Sequence, residues 1–246
     1  MGQYKRRKLL ERRVREEYRE YSEALKRSVK ALEDHGLSST YMDDILYLIG
    51  ALRDGSVYKD VAARNYVVAY YQKNREWLEN SVGKRIKRLG FKYRIDEPRS
   101  GQFRLRVYSK KLYNAIRELF EFPPEGKGQE DWGVPEMLKK LPPFLLTSFI
   151  KGLFDAEGDI SPKSSKSLYI GISQKNKELL EFVKNILEKL GIKTGEIHLI
   201  DSRTKTLRLA IGSYESIIRF IKLIGCEHPD KKSRLLALLP PPGQQT

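Results

Sequence analysis

Two carboxylates stand at matching places in this chain, each closing an apolar run and each followed by glycine. The runs are Leu46 to Gly55 (LYLIGALRDG) and Phe149 to Gly158 (FIKGLFDAEG). Apolar residues at nearly every position predict helices buried on several sides. Asp54 and Glu157 then end them, with Gly55 and Gly158 expected to supply the left-handed backbone that stops a helix. Two such helices side by side would bring two carboxylates together at one end. A carboxylate at a helix C-terminus opposes the dipole, where cations are preferred. A compensating positive group is therefore expected, and a divalent metal is the obvious candidate.

The elements that position these acids follow from periodicity. Leu9, Leu10, Val14, Tyr18, Tyr21, Leu25, Val29 and Leu32 recur at three- and four-residue steps and predict a charged helix over 1–35. Its basic start, with Arg12, Arg13 and Arg15, reads either as a solvated face docked by the apolar stripe or as a phosphate-contacting arm. The first motif helix is expected from Tyr41 or Met42 to Asp54. Strands follow at Val57 to Val61 and Asn65 to Tyr71, then a helix over 74–89 with Trp77 in its core face. Phe91, Tyr93 and Ile95 alternate with Lys92, Arg94 and Asp96, and Phe103, Leu105 and Val107 alternate with Arg104, Arg106 and Tyr108. That alternation predicts a sheet with one face on a core and a basic face outward. A helix over 110–120 closes the unit, and the proline-rich stretch from Pro123 to Pro143 reads as a linker.

The second half repeats this order: motif helix, a strand from Ser167 to Ser173, a helix from Lys175 to Leu190, strands at 195–201 and 206–211, and a helix from Tyr214 to Ile224. Gly158 lies 103 residues after Gly55, QKNKELLE at 174 lies 102 after QKNREWLE at 72, Gly191 lies 101 after Gly90, and Leu207-Arg208 lies 102 after Leu105-Arg106. Four anchors at a nearly constant offset mark a duplicated unit. The fold class is α+β, an αββαββα unit repeated with pseudo-twofold symmetry behind an N-terminal helical extension. The expected division is extension 1–40, first half 41–122, linker 123–143 and second half 144–246.

With 47 Lys and Arg against 32 Asp and Glu, the chain carries a net charge of +15, which suits a polyanionic partner. Cys226 is the only cysteine, so an internal disulfide and a cysteine-type zinc site are excluded. No apolar run is long enough for a membrane span, and the charged start is unlike a signal sequence. The expectation is an intracellular, cytoplasmic protein working as a monomer. Outward strand residues are candidates for duplex contact: Lys92, Arg94, Arg104 and Arg106 in the first half, Lys166, Arg203, Lys205 and Arg208 in the second.

Taken together, the two motifs and the duplication resemble the LAGLIDADG homing endonucleases of the single-chain, two-motif type, over roughly residues 41–239. The resemblance implies that two antiparallel sheets form a saddle for double-stranded DNA. It implies that Asp54 and Glu157 hold Mg²⁺ (or Mn²⁺) against the scissile phosphates, and that Gln72 and Gln174 order solvent around the cleavage site. Lys231 resembles a basic residue that approaches the site from the domain end, with Lys127 as its first-half counterpart. The implied activity is site-specific, metal-assisted hydrolysis of both strands to leave short 3′ overhangs. The family's spacing puts an interior glycine at position 49, where Ile49 precedes Gly50. Arg53 occupies a usually small place and is expected to turn toward phosphate or solvent, or to push the helices apart. Two other readings remain: an RNA-binding intron maturase, with intron RNA as partner, and a DNA-binding regulator without catalysis.

Overall fold

The computed structural model describes residues 2–124, 127, 129–161 and 168–239. Helix α1 (Gly2–Asp34) leads through a 3-10 turn (Ser39–Tyr41) into α2 (Met42–Ala51) and a second 3-10 turn (Leu52–Asp54). Strands β1 (Gly55–Asp60) and β2 (Asn65–Gln72) follow. Next, α3 (Arg75–Trp77) and α4 (Lys84–Arg88) are joined by a π turn (Leu78–Gly83). β3 (Tyr93–Arg99), β4 (Gln102–Tyr108) and α5 (Lys110–Glu118) complete the first half. After α6 (Glu136–Lys140), the second half runs α7 (Leu146–Glu157), β5 (Gly158–Ile160), β6 (Ile170–Gln174), α8 (Lys177–Lys189), β7 (His198–Asp201), β8 (Thr206–Ile211), α9 (Tyr214–Leu223) and α10 (Pro229–Leu236).

The two sheets have the same antiparallel order, β1-β2-β4-β3 and β5-β6-β8-β7. Their local chemistry repeats too. Asn74 and Asn176 cap the helices that follow β2 and β6, accepting from the amides of Trp77 and Leu179 at 2.9 Å each, and Ser109 and Ser213 cap α5 and α9. Such caps satisfy amides that the first turn leaves without partners. Leu105 and Val107, and Leu209 and Ile211, face the core while Arg104, Arg106 and Arg208 take the other face, as alternation requires.

The first sheet's partner helices and the second's share one core through α2 and α7, which form the most extensive contact between any two elements. Residues 123–143 do more than connect. Trp132, Val134, Leu138 and Leu141 are buried, and the Trp132 indole donates to the Phe120 carbonyl at 2.7 Å.

Several expectations need correcting. Gly55 and Gly158 are not left-handed: their φ/ψ are −130/−166 and −77/153, extended backbone that runs straight into β1 and β5. They are glycines because a Cβ would strike the Ala69 carbonyl oxygen at 2.5 Å or the Phe154 carbonyl oxygen at 2.5 Å. Strand β5, only three residues long, was not expected, whereas its counterpart β1 was. The expected strand starts at Ser167, which, with Lys166, lies outside the described residues; β6 is described from Ile170. In α1 the apolar stripe docks only toward the C-terminus. Ala24, Ser28 and Leu32 are buried, whereas Leu9, Val14 and Tyr18 are exposed.

Candidate active site at the junction of the two halves

Asp54 and Glu157 each occupy the last position of their helical segment. Close approach of the two helices is set by Gly50 and Gly152. A Cβ on Gly50 would run into the Phe149 carbonyl oxygen and lie 2.7 Å from the Leu153 nitrogen; one on Gly152 would run into the Tyr47 carbonyl oxygen and lie 3.0 Å from the Ala51 nitrogen. The first-motif glycine is thus at the crossing point despite its one-residue displacement. The compensation is in the backbone. From Gly50 to Asp54 the chain spends three residues in 3-10 geometry, at about 2.0 Å rise each, whereas Gly152 to Glu157 is α-helical throughout, at about 1.5 Å each. Both routes advance about 7.5 Å along the axis, so the two acids arrive level.

The charge of Asp54 bears on Glu157. The Glu157 carboxyl is pushed up to about 7, first by burial and then by the negative charge of Asp54; Lys231 and a hydrogen bond with Gln174 oppose the rise. Asp54 reaches solvent, yet the protein crowded around it pushes its carboxyl up to about 6, again opposed by Lys231. Two carboxylates that each resist ionisation form an anion-rich point short of positive charge.

The expected positive compensation at the α7 terminus is partly Lys231, which is half-buried. Its Nζ donates to the carbonyls of Phe154, Asp155 and Ala156 at 2.9, 2.7 and 3.4 Å, a cation on the negative end of a helix. Burial lowers its own ammonium to about 8.

What remains uncompensated fits a divalent cation of the oxygen-loving kind. Among the described residues no group of three or more His, Cys, Asp or Glu could hold a metal, which rules against a closed zinc-type cage. Mg²⁺ and Mn²⁺ accept one or two carboxylates and keep water or phosphate oxygens in their other positions.

Behind the acids lies a buried network that the sequence reading missed. Asp155 is fully buried, and its carboxylate accepts from the Tyr47 hydroxyl at 2.5 Å and from the amides of Glu227 and His228 at 2.9 and 3.2 Å. Tyr47 in turn accepts from the Trp77 indole at 2.9 Å. The amide bonds fix the segment that enters α10 and so aim Lys231. Arg53 does neither thing expected of it. It is buried, donates to the carbonyls of Trp132 and Gly133 at 2.5 and 2.9 Å, and lies 3.8 Å above the Trp132 ring. Desolvation holds its guanidinium down at about 9. It turns away from the helix crossing because the polypeptide of 132–133 offers two carbonyls there.

Other candidates fall as follows. Gln72 and Gln174 both sit two residues beyond the strand partner of their motif glycine, since Gly55 pairs with Tyr70 and Gly158 with Ile172. Gln174 bonds Glu157, while the Gln72 side-chain oxygen accepts from the Lys73 amide at 2.8 Å. Lys127 is exposed in the segment before α6 and its amide bonds the Pro124 carbonyl; the cation acting on both acids is Lys231.

On the outward sheet faces, Arg104 and Arg106 stand on β4, Arg94 on β3 and Arg208 on β8; Lys92 precedes β3, and Arg203 and Lys205 are exposed in the β7–β8 turn. Their immediate partners were not foreseen. Asp96 binds Arg104 through both carboxylate oxygens, at 3.2 and 2.6 Å, and Arg106 at 3.1 Å. Asp159 lies 3.4 Å from Arg208. The pattern signalled charge alternation, but not which acid elsewhere in the sheet would close on which arginine.

Two αββαββα halves, joined through paired helices that each end in a carboxylate and flanked by two basic sheets, define a pseudo-dimeric fold with an acidic centre at the junction. Known proteins agree with that class. The family model described as a LAGLIDADG-like domain matches residues 145–225. Homing endonuclease I-ApeI of Aeropyrum pernix is 38% identical over 203 residues, spanning 81% of this chain and 89% of that protein. The chain belongs to the LAGLIDADG homing endonuclease family. The crystal structure of I-DmoI in complex with DNA and Mn aligns at a TM-score of 0.58 and 29% identity over 76% of this chain and 99% of that one. A tRNA-splicing ligase RtcB of Pyrococcus furiosus is 28% identical over 191 residues, but these cover only 19% of that protein.

Proposed function

We propose that this chain is a site-specific double-strand DNA endonuclease that hydrolyses phosphodiester bonds with a divalent metal held between Asp54 and Glu157. The observation that carries the reading is the charge-stressed pair of carboxylates, one from each half, at the level where both helices pass into their sheets. An RNA-binding helper or a repressor needs neither acid. The solved I-DmoI complexes with DNA and with Mn or Mg support duplex DNA and Mg²⁺ or Mn²⁺ as the partners here.

A bound divalent cation supplies Lewis-acid stabilisation of the phosphate charge and makes water a stronger nucleophile at neutral pH. The rest falls to the chain's own groups. Asp54 and Glu157 fix the position of that charge on two packed helices, so the centre does not drift as DNA enters. Gln174, bonded to Glu157, holds one carboxylate oxygen and presents its remaining polar atoms to solvent; Gln72 takes the matching place in the first half. Lys231 lowers the proton affinity of both acids and adds positive charge behind the phosphates. The outward arginines of β4 and β8 contact the duplex. Because α2 and α7 lie in one chain, the centre is complete in a monomer.

The test is cleavage of a randomised duplex library with Mg²⁺ and with EDTA. The expected result is metal-dependent cutting of a defined long site by the wild type and none by Glu157→Gln, with DNA affinity largely retained in the variant. Equal cutting by both proteins would remove Glu157 from the reaction.

A further inference from the structure

The two sheets do not simply display positive charge. Each outward arginine that the structure places at the centre of a sheet is already held by a carboxylate from another strand of the same sheet. On the first sheet Asp96 of β3 lies opposite Arg104 of β4 in register and takes two of its N–H groups, with Arg106 bonded to the same Oδ2. On the second sheet the carboxylate comes from the other side. Asp159 of β5 reaches Arg208 diagonally across the β6 strand, where Gly171 pairs with Asp159 and Ser173, two residues further on the same face, pairs with Arg208. Gly171 leaves the room for this. A Cβ there would lie 2.5 Å from the Asp159 Oδ1 and 3.3 Å from the Arg208 Cδ. Ser173 and the Tyr169 hydroxyl accept from the remaining sides of Arg208, at 3.3 and 3.2 Å.

We infer that Asp96 and Asp159 are specificity-determining positioning residues: each fixes its arginine for reading a base edge and suppresses indiscriminate attachment of that arginine to phosphate. The inference rests on the endonuclease reading. A guanidinium carries five N–H groups in a rigid fork. Two of Arg104's are committed to Asp96 and a further hydrogen bond joins it to Tyr71, which still leaves N–H groups for the pair of acceptors, O6 and N7, that a guanine offers in the major groove. An arginine neutralised by a carboxylate gains little from a phosphate, whose attraction is mostly charge. It still gains from a matched hydrogen-bond pair, which depends on orientation. The acids sacrifice general affinity for discrimination. They also make the two halves read differently, because the fork is held from the β3 edge in one sheet and from β5 in the other.

The experiment compares wild type, Asp96→Asn, Asp159→Asn and Gly171→Ala by selection on a randomised duplex library and by binding to an unrelated duplex. Asp96→Asn is expected to relax base preference about 5- to 100-fold at the position read by Arg104 or Arg106, and Asp159→Asn at a different position in the other half-site. Both should bind the unrelated duplex severalfold more tightly. Gly171→Ala keeps every charge but displaces the Asp159 carboxylate, so it should relax the same position as Asp159→Asn without that general gain. Preference profiles superimposable on wild type, or a uniform loss at all positions with weaker binding to the unrelated duplex, would overturn the inference. Failure of the wild type to cut any duplex would instead overturn the endonuclease reading.

Discussion

Lys231 meets two demands at once. Its ammonium caps three carbonyls at the end of α7 and its charge bears on both Asp54 and Glu157. Removing it should let the two carboxyls rise further, since its charge is what opposes their protonation. Lys231→Met is therefore expected to lower cleavage at pH 7 by roughly 10²-fold and to move the acid limb of the pH–rate profile to higher pH; an unmoved limb would show that Lys231 acts on packing alone. The acids themselves make a second claim. Their folded values, about 6 and about 7, exceed those of the unfolded chain. Between roughly pH 4 and 7 the folded form then binds more protons, and stability falls as pH rises. Metal-free protein should lose melting temperature from pH 5 to pH 8, and Glu157→Gln should show less of that loss. Asp54 and Glu157 stood out in the sequence because an acid followed by glycine at the end of an apolar run is a local signal, whereas Lys231 was reached only through the family resemblance. Arg53 could not be placed, since its partners are carbonyls about 80 residues away.

At the scale of elements, α2 and α7 carry the site because neither has a side chain at its closest point. Gly50→Ala and Gly152→Ala each put a methyl group against a backbone carbonyl, with an expected cost on the order of 1–3 kcal/mol. Cleavage should fall more than DNA binding does, because the helices set the spacing of the acids and not the sheets. Loss of binding in parallel with cleavage would argue otherwise. Helix α1 makes the opposite case. Val14, Tyr18, Tyr21 and Leu25 line a groove with Pro142, Pro143 and Phe144, at the start of α7 and so roughly 17 Å from its acidic end. Removing residues 1–20 should leave cleavage and the salt dependence of duplex binding unchanged; a shallower salt slope would make α1 a phosphate-contacting arm after all. Most elements were legible from period and caps. The 3-10 turn at Leu52–Asp54 was not, because only the neighbouring helix reveals that a missing residue must be stretched over.

Across the whole molecule, the nearly constant offset of about 102 residues was the most legible feature, and the matching sheet orders β1-β2-β4-β3 and β5-β6-β8-β7 follow it. The symmetry is broken where it would meet DNA. Ser56 occupies the position equivalent to Asp159 of the second half, Tyr71 that of Ser173, and Arg94 that of His198. The preferred target is therefore expected not to be palindromic, and inverted repeats built from either half-site should be cut more slowly than the composite; equal rates would mean that the two faces read alike. Everything returns to one shared cation. The most direct measurement is calorimetric titration of Mn²⁺ into the protein bound to its target duplex, for wild type, Asp54→Asn and Glu157→Gln. Tight binding in the wild type should be lost in both variants, whereas wild-type affinity surviving in either one would contradict a centre held jointly by the two halves.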